Sequence, residues 1–501
     1  MEQGMPPSVV KRLKQALFVL FGFVMAFFIV WAFMARSMPD LELWHTVELE
    51  SEFRAKDADS INTFEAYQNL ENRLFEELER KVIAGTANTP ANRLSRYNPE
   101  GPNNALRFSH HWNRSYELIP PDIKGSALLL HGLTDSPYSL RKVAQILSLN
   151  GFYVLGLRLP GHGTIPAGIN SAVVEDWVAA VQIGVRHAIA QKEDTSPFFI
   201  VGYSNGAGLA IKYALDSLED SRLTVPDRLI LFSPAVGITP LAALADWHKF
   251  ISFIPYFKKF QWTGIHPEYD PYKYNSFPKN AGQQTHNLTV AIRKQINRLK
   301  KSNQLSGFPP VLTFQSVVDS TVCTDAIVQG LYAKLDGDQH ELVLFDINRQ
   351  AHTSAFLKSD FQTLIDNLWA APRRPYRLTL ITNRDENSPE IVARVRKADS
   401  EEIHLTQLGL TWPESIYSLS HVALPFSQSD PVYGNHKNGH PTHGMNLGAL
   451  EPRGETGMLR VSVHTLMRLR YNPFFPYMEE RIVETVRQQV KVSSEKLNKN
   501  G

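Results

Sequence analysis

The chain has 501 residues, with 52 Lys+Arg against 50 Asp+Glu, 43% hydrophobic residues and a single cysteine. This composition excludes a disulfide scaffold and a low-complexity chain, and it provides enough apolar surface for a globular protein. Because the formal net charge is only +2, we expect no nucleic-acid partner.

The first distinctive feature is an apolar block at residues 16–35, ALFVLFGFVMAFFIVWAFMA, in which twenty residues carry no charge. As a helix rising 1.5 Å per residue, this block matches a hydrocarbon core of about 30 Å. We predict a transmembrane signal anchor at 16–35; a cleaved signal peptide and a core helix are the alternatives. Lys11, Arg12 and Lys14 precede it, so residues 1–15 are expected in the cytoplasm and the rest across the membrane, which in a bacterium is the periplasmic side of the inner membrane.

Residues 37–105 are polar and predict a helical arm. Apolar residues recur there at helical spacing, which indicates an amphipathic helix docked on the body. A dimerising coiled coil is the alternative, but the pattern lasts too few heptads. The residues of the apolar stripe are Phe64, Tyr67, Leu70, Leu74, Leu78 and Val82.

From about residue 115 to 350, short apolar runs alternate with amphipathic segments. Nearly continuous apolar strands separated by helices predict a mostly parallel sheet with helices on both faces, and therefore an α/β fold. The stretch 238–307 is rich in Trp, Phe, Tyr and Pro and interrupts the strand rhythm, so we interpret it as a cap insertion. Residues 372–411 show strand alternation with a turn and predict an added β-ribbon.

The sequence Gly202-Tyr203-Ser204-Asn205-Gly206 fits the pattern G-x-S-x-G between an apolar strand and an apolar helix. A tight turn in that context needs small residues beside the serine and presents its hydroxyl above the sheet, near a helix N-terminus. We therefore predict that Ser204 is a nucleophile; the alternative is a purely structural turn.

Such a serine needs two backbone N–H donors for an oxyanion, one directly after the serine and one from the loop after an earlier strand. The run Leu128–Thr134 supplies that loop, so the predicted donors are the N–H groups of Leu133 and Asn205. His131 and His162 lie in neighbouring turns, and we interpret both as structural hydrogen-bonding residues.

The segments LLLHGLTDSPYSLR, RLPGHG, GYSNGAG and VVDSTV occur in this order and spacing. Together they resemble the α/β-hydrolase superfamily, near its monoacylglycerol lipase, carboxylesterase and serine aminopeptidase-like branch. The resemblance covers about residues 115–350 and implies a Ser-Asp-His triad in that chain order and no metal or organic cofactor. We assign residues 106–501 to the hydrolase domain.

Asp319 is the predicted acid, because it follows the apolar strand VLTF and precedes a loop that resembles the family's acid loop. An acid at that sheet edge can orient an imidazole and stabilise its charged form. Asp325 and Asp346 are alternative candidates for the acid. The non-catalytic alternative for Asp319 is a helix N-cap.

Two histidines compete for the role of general base. His352 follows the strand ELVLFDI closely, where a minimal version of the fold would place its histidine. His421 lies in SLSHVALP, which resembles the S-x-H-V loop of the carboxylesterase branch. If His421 is the base, residues 353–415 are an insertion between the last core strand and the histidine loop. We favour His421 and keep His352 as the alternative, because triad members are recognised by geometry.

The three histidines in NHKNGHPTHG do not predict a metal site, because Gly and Pro break the helical register that a helix-borne zinc pair needs. We interpret His436, His440 and His443 as parts of a solvated loop. The sequence thus predicts a membrane-anchored serine hydrolase acting on a small acyl ester or lipid. Peptidase, thioesterase and acyltransferase chemistry, or a catalytically silent binding module, are alternatives, and the oligomeric state stays open.

Overall fold

The computed structural model describes residues 7–237, 255–350, 360–370, 374–435, 445–450 and 459–500. The chain begins with helix α1, Pro7–Ser37, which is long and apolar enough to cross a membrane: its most apolar 18-residue window has a mean hydropathy of 2.6 and is not buried. It is the one such helix among the described residues. Near its end, the ring of Trp31 lies 4.3 Å from that of Phe260, between centroids.

Ten of the strands in the described residues form one sheet, which confirms the predicted α/β class. Its order is β1-β3-β2-β4-β5-β8-β9-β10-β11-β12. The neighbours from β3 to β10 pair in parallel, whereas β1, β11 and β12 pair antiparallel. The strands are β1 Tyr116–Leu118, β2 Gly125–Leu130, β3 Phe152–Leu157, β4 Phe198–Tyr203, β5 Arg228–Phe232, β6 Trp262–Gly264, β7 Phe277–Pro278, β8 Val311–Ser316, β9 Glu341–Phe345, β10 Arg377–Asn383, β11 Glu390–Arg396 and β12 Ile403–Thr411.

Helices cover both faces of the sheet, as strands buried at every position require. Alternate residues of β2 belong to two separate cores: Leu128 and Leu130 pack with α6, α7 and α8, and Ala127 and Leu129 pack with α4 and α12. The other helices are α2 Leu43–Thr46, α3 Phe64–Leu78, α4 Arg141–Leu149, α5 Ala167–Ser171, α6 Val174–Ala190, α7 Asn205–Glu219, α8 Lys279–Lys301, α9 Thr324–Ile327, α10 Asp360–Ala370, α11 Val463–Leu466 and α12 Phe475–Asn500.

The arm is joined to the body by a buried ion cluster. Arg158, directly after β3, is 1% exposed and lies 2.9 Å from the carboxylate of Glu52 and 3.2 Å from that of Glu71. Tyr67 of α3 donates its hydroxyl to the carbonyl of Arg158 at 2.7 Å. A buried arginine needs such partners, so the arm contributes groups that the interior of the body requires.

The predicted β-ribbon extends the main sheet, because β10 pairs in parallel with β9 and β11 and β12 follow antiparallel. The predicted cap is described only from residue 255 onward, so 238–254 lie outside the described residues. Its described part holds the two-stranded sheet β6–β7 and helix α8.

Candidate active site

Ser204 lies in a strained turn between β4 and α7, with φ 54° and ψ −114°. Two glycines make this turn possible. A Cβ on Gly206 would lie 2.1 Å from the carbonyl oxygen of Leu130, and one on Gly202 would lie 2.4 Å from the Cα of Ala207. The turn therefore brings the serine against the end of β2 in a way that larger residues would prevent.

Asp319 lies three residues after β8, in a loop that satisfies both carboxylate oxygens. Its Oδ1 accepts hydrogen bonds from the backbone N–H groups of Thr321 at 2.8 Å and Val322 at 2.9 Å. Its Oδ2 lies 2.7 Å from Nδ1 of His421. Burial acts to raise the pKa of Asp319, but His421 and the two N–H donors outweigh it and hold the pKa below its usual value.

The His421 imidazole lies between the acid and the serine. Its Nε2 is 3.1 Å from Oγ of Ser204. With Nδ1 donating to Asp319, Nε2 is left as an acceptor for the serine hydroxyl. The three side chains are each 9% exposed or less, so the hydrogen bonds between them are shielded from water.

His421 follows the far edge strand β12 by ten residues, and its loop returns across the sheet to reach β4. Asn348, just after β9, donates its backbone N–H to the carbonyl of Tyr417 at 2.8 Å. Ser316, at the end of β8, donates its hydroxyl to the carbonyl of Leu419 at 2.6 Å. These bonds from the ends of two inner strands position the histidine.

The loop after β2 lies beside the serine turn because Leu130 is the register partner of Gly202. Leu133 donates its N–H to no acceptor in the described part of the chain. Asn205 is the first residue of α7, so its N–H has no partner within the helix. Thr134, with φ 64°, forces the chain to turn sharply just after Leu133.

His131 joins two loops by hydrogen bonds, and His162 makes a hydrogen bond within its own turn. Nδ1 of His131 donates to the carbonyl of Gly132 at 2.9 Å, and its Nε2 accepts from the N–H of Leu159 at 3.0 Å. Nδ1 of His162 donates to the carbonyl of Pro160 at 3.0 Å. Burial lowers the pKa of His162 to about 4 and that of His131 well below its usual value. Neutral rings at these turns fit a structural role.

Neither alternative acid contacts His421. Asp325 is exposed on α9, and Asp346 accepts a hydrogen bond from Thr382 at 2.7 Å and pairs with Arg349. The alternative base His352, and likewise His436, His440 and His443, lie outside the described residues. Within the described ranges, no group of three or more His, Cys, Asp or Glu side chains could hold a metal ion.

Sequence reasoning missed a clamp on the loop that carries Leu133. Lys273 Nζ lies 3.0 Å from Oδ1 of Asp135, and Tyr274 donates its N–H to the carbonyl of Thr134 at 2.8 Å. The charge of Asp135 in the loop after β2 was the available signal, but its partner lies 138 residues away in the chain. Burial raises the pKa of Asp135, and Lys273 acts against that increase.

Comparison with known proteins gives one family and several relatives. Residues 121–347 match the family described as serine aminopeptidase, S33. The chain is similar to the thermostable monoacylglycerol lipase of Bacillus sp. (strain H-257), with 32% identity over 110 residues. The aligned segment is 22% of this chain, and it spans 42% of the length of that curated relative.

Solved structures of lipases and esterases also match. One is the monoacylglycerol lipase of Paleococcus ferrophilus, with 20% identity, a TM-score of 0.35, and coverage of 46% of this chain and 88% of that one. Another is a soluble variant of the monoglyceride lipase of Saccharomyces cerevisiae, with 17% identity, a TM-score of 0.36, and coverage of 51% and 89%.

Proposed function

We propose that the chain is a membrane-anchored serine hydrolase of the α/β-hydrolase superfamily and that it cleaves carboxylic esters. One observation carries the proposal: hydrogen-bond distances link Ser204, His421 and Asp319 in series. In the proposed mechanism these residues are nucleophile, general base and orienting acid.

The chemistry follows from the direction of these bonds. His421 takes the proton of Ser204 as Oγ attacks the ester carbonyl carbon, and Asp319 stabilises the imidazolium that forms. The N–H groups of Leu133 and Asn205 stabilise the oxyanion. The bond to the alcohol oxygen then breaks and the alcohol leaves with the proton from His421. Water attacks the acyl-enzyme by the same route, releases the carboxylic acid and restores the serine.

Helix α1 supports membrane anchoring of this enzyme. Its basic N-terminal flank favours a cytoplasmic start, so the proposed location of the hydrolase domain is the periplasmic side of a bacterial inner membrane. Lys259 lies 2.7 Å from Asp40 and also donates to the carbonyl of Met38, just beyond the helix. These contacts hold part of the predicted cap close to the end of the anchor, next to the expected lipid surface.

The substrate class that we propose is an apolar acyl ester, with acylglycerol-type lipids as the leading example. Support comes from the anchor, from the aromatic cap sequence and from the similarity to a monoacylglycerol lipase. Peptidase, thioesterase and acyltransferase chemistry would use the same residues, so matched ester, anilide and thioester substrates with one acyl group should be compared. Fastest turnover of the anilide would refute the ester assignment.

A fluorophosphonate probe on the detergent-solubilised full chain tests the nucleophile. The wild type should be labelled, Ser204→Ala should not, and the control Ser306→Ala on an exposed loop should label like the wild type. Absence of labelling in folded wild-type protein, or labelling of Ser204→Ala, would refute the proposal. For topology, a reporter fused after residue 40 should be active in the periplasm; activity confined to the cytoplasm would refute the orientation.

A further inference from the structure

A cavity of about 300 Å³ lies beside His421, between the loop that carries the acid and the loop that carries the histidine. His421 lines this cavity, and its Nε2 lies 3.1 Å from Oγ of Ser204, the proposed nucleophile. The residues that line it include Val318, Ser320, Ser418, Ser420, His421 and Arg468.

Arg468 lines this cavity and has no carboxylate partner in the described part of the chain. Its guanidinium donates to the hydroxyl of Thr321 at 3.2 Å, and no acidic group of the described chain lies within ion-pair distance of it. Asp319, in the adjacent loop, already uses both oxygens for His421 and two backbone N–H groups.

Other basic side chains near the site are paired with carboxylates. Lys273 lies 3.0 Å from Asp135, and Arg470 lies 3.7 Å from Asp270. Arg468 differs from both because its side chain lines the cavity and pairs with no carboxylate among the described residues. A guanidinium binds carboxylate and phosphate oxygens in a bidentate fork, and serine hydroxyls can donate to the same oxygens.

We propose that this cavity is a subsite for an anionic group, a carboxylate or a phosphate, carried by the substrate, with Arg468 as its recognition residue. The inference rests on the proposed function, since it assigns a substrate class to the same site. An ester that places its anionic group there would bind with its carbonyl carbon near Ser204, and the charge would select it over a neutral ester of equal size.

The test compares matched pairs of esters on the full chain in detergent. On the acyl side, the pair is 4-nitrophenyl pentanoate and mono-4-nitrophenyl succinate; on the alcohol side, it is a monoacylglycerol and the corresponding monoacylglycerol phosphate. The readout is the ratio of kcat/KM for the anionic ester to that for the neutral one. We expect Arg468→Met to lower this ratio at least tenfold for one pair, and Arg468→Lys to restore part of it.

Arg186→Met is the matched control, because Arg186 also lacks a carboxylate partner in the described chain and hydrogen-bonds the carbonyl of Asn62 on another part of the surface. Its ratio should equal that of the wild type. An unchanged ratio in Arg468→Met for both pairs would overturn the subsite.

Inorganic phosphate distinguishes a substrate-borne anion from a free one. If phosphate inhibits the wild type but not Arg468→Met, and neither pair shows discrimination, the cavity binds a free anion and the substrate assignment is overturned. Failure of the proposed function is a separate result, since wild-type protein would then neither react with the fluorophosphonate probe nor hydrolyse any of the four esters.

Discussion

Replacing Lys273 with methionine should slow catalysis without touching any of the proposed triad residues. The lysine clamps Asp135, which lies two residues after the proposed oxyanion donor Leu133, and its side chain is 26% exposed against 6% for the aspartate. Loss of the lysine leaves a buried carboxylate without its charge partner and raises the pKa of Asp135 further.

The magnitude follows from this geometry. Removing one partner of a fully buried ion pair destabilises a protein by about 3–5 kcal/mol, and partial exposure of Lys273 reduces this to about 1–2 kcal/mol. Complete loss of an oxyanion donor lowers kcat by about 10²–10³. Because the bond from Tyr274 to Thr134 still holds the loop, we expect a fall in kcat of about tenfold with little change in KM.

The assay measures kcat and KM on 4-nitrophenyl butyrate together with urea unfolding. Lys273→Arg should recover most of the loss. The matched control is Lys81→Met, since Lys81 is 30% exposed and pairs with the 5% exposed Glu77 in the arm, away from the site. A wild-type kcat in Lys273→Met, or an equal fall in kcat for Lys81→Met, would refute a role for the Lys273–Asp135 ion pair in catalysis.

Three further predictions concern the turn at Ser204, a buried histidine and the arm. Gly206→Ala forces a Cβ toward the carbonyl of Leu130, so it should abolish labelling by the fluorophosphonate probe and lower the free energy of unfolding by about 1–3 kcal/mol in urea. The pKa of His162 is about 4, so its stabilisation is present above pH 6.5 and is lost as the pH falls toward 4; the stability gap between wild type and His162→Asn should shrink by about 2 kcal/mol from pH 7 to pH 5. A constant gap would contradict that reasoning. Arg158→Met leaves the two buried carboxylates of the arm unpaired and should destabilise the chain by about 3–5 kcal/mol in the same assay, whereas unchanged stability would contradict the ion cluster.

Local patterns predicted the fold class and the positions of Ser204 and Asp319 at strand ends. Both positions depend on short segments. An apolar strand, a glycine-flanked turn and an apolar helix follow one another around Ser204, and Asp319 closely follows an apolar strand. The α/β class could be predicted for the same reason, since strands buried on both faces show continuous apolar runs.

Long-range contacts could not be predicted from such local patterns, and the sequence favours His421 as the base only because its loop resembles the S-x-H-V loop of the carboxylesterase branch. The approach of His421 to Ser204 depends on three added strands and on a returning loop held by Asn348 and Ser316, so its position relative to the serine does not follow from its position in the chain. The clamp between Lys273 and Asp135 likewise joins the cap to a core loop. Neither contact leaves a periodic or spacing signal in one sequence.

The assignment of the general base tests the account most directly. We would measure hydrolysis of 4-nitrophenyl butyrate by His421→Ala and His352→Ala, with circular dichroism to verify folding. We predict that His421→Ala lowers kcat by at least about 10³-fold, because Ser204 loses its proton acceptor, while His352→Ala keeps activity near that of the wild type. Full activity in folded His421→Ala, or loss of activity in His352→Ala alone, would contradict it.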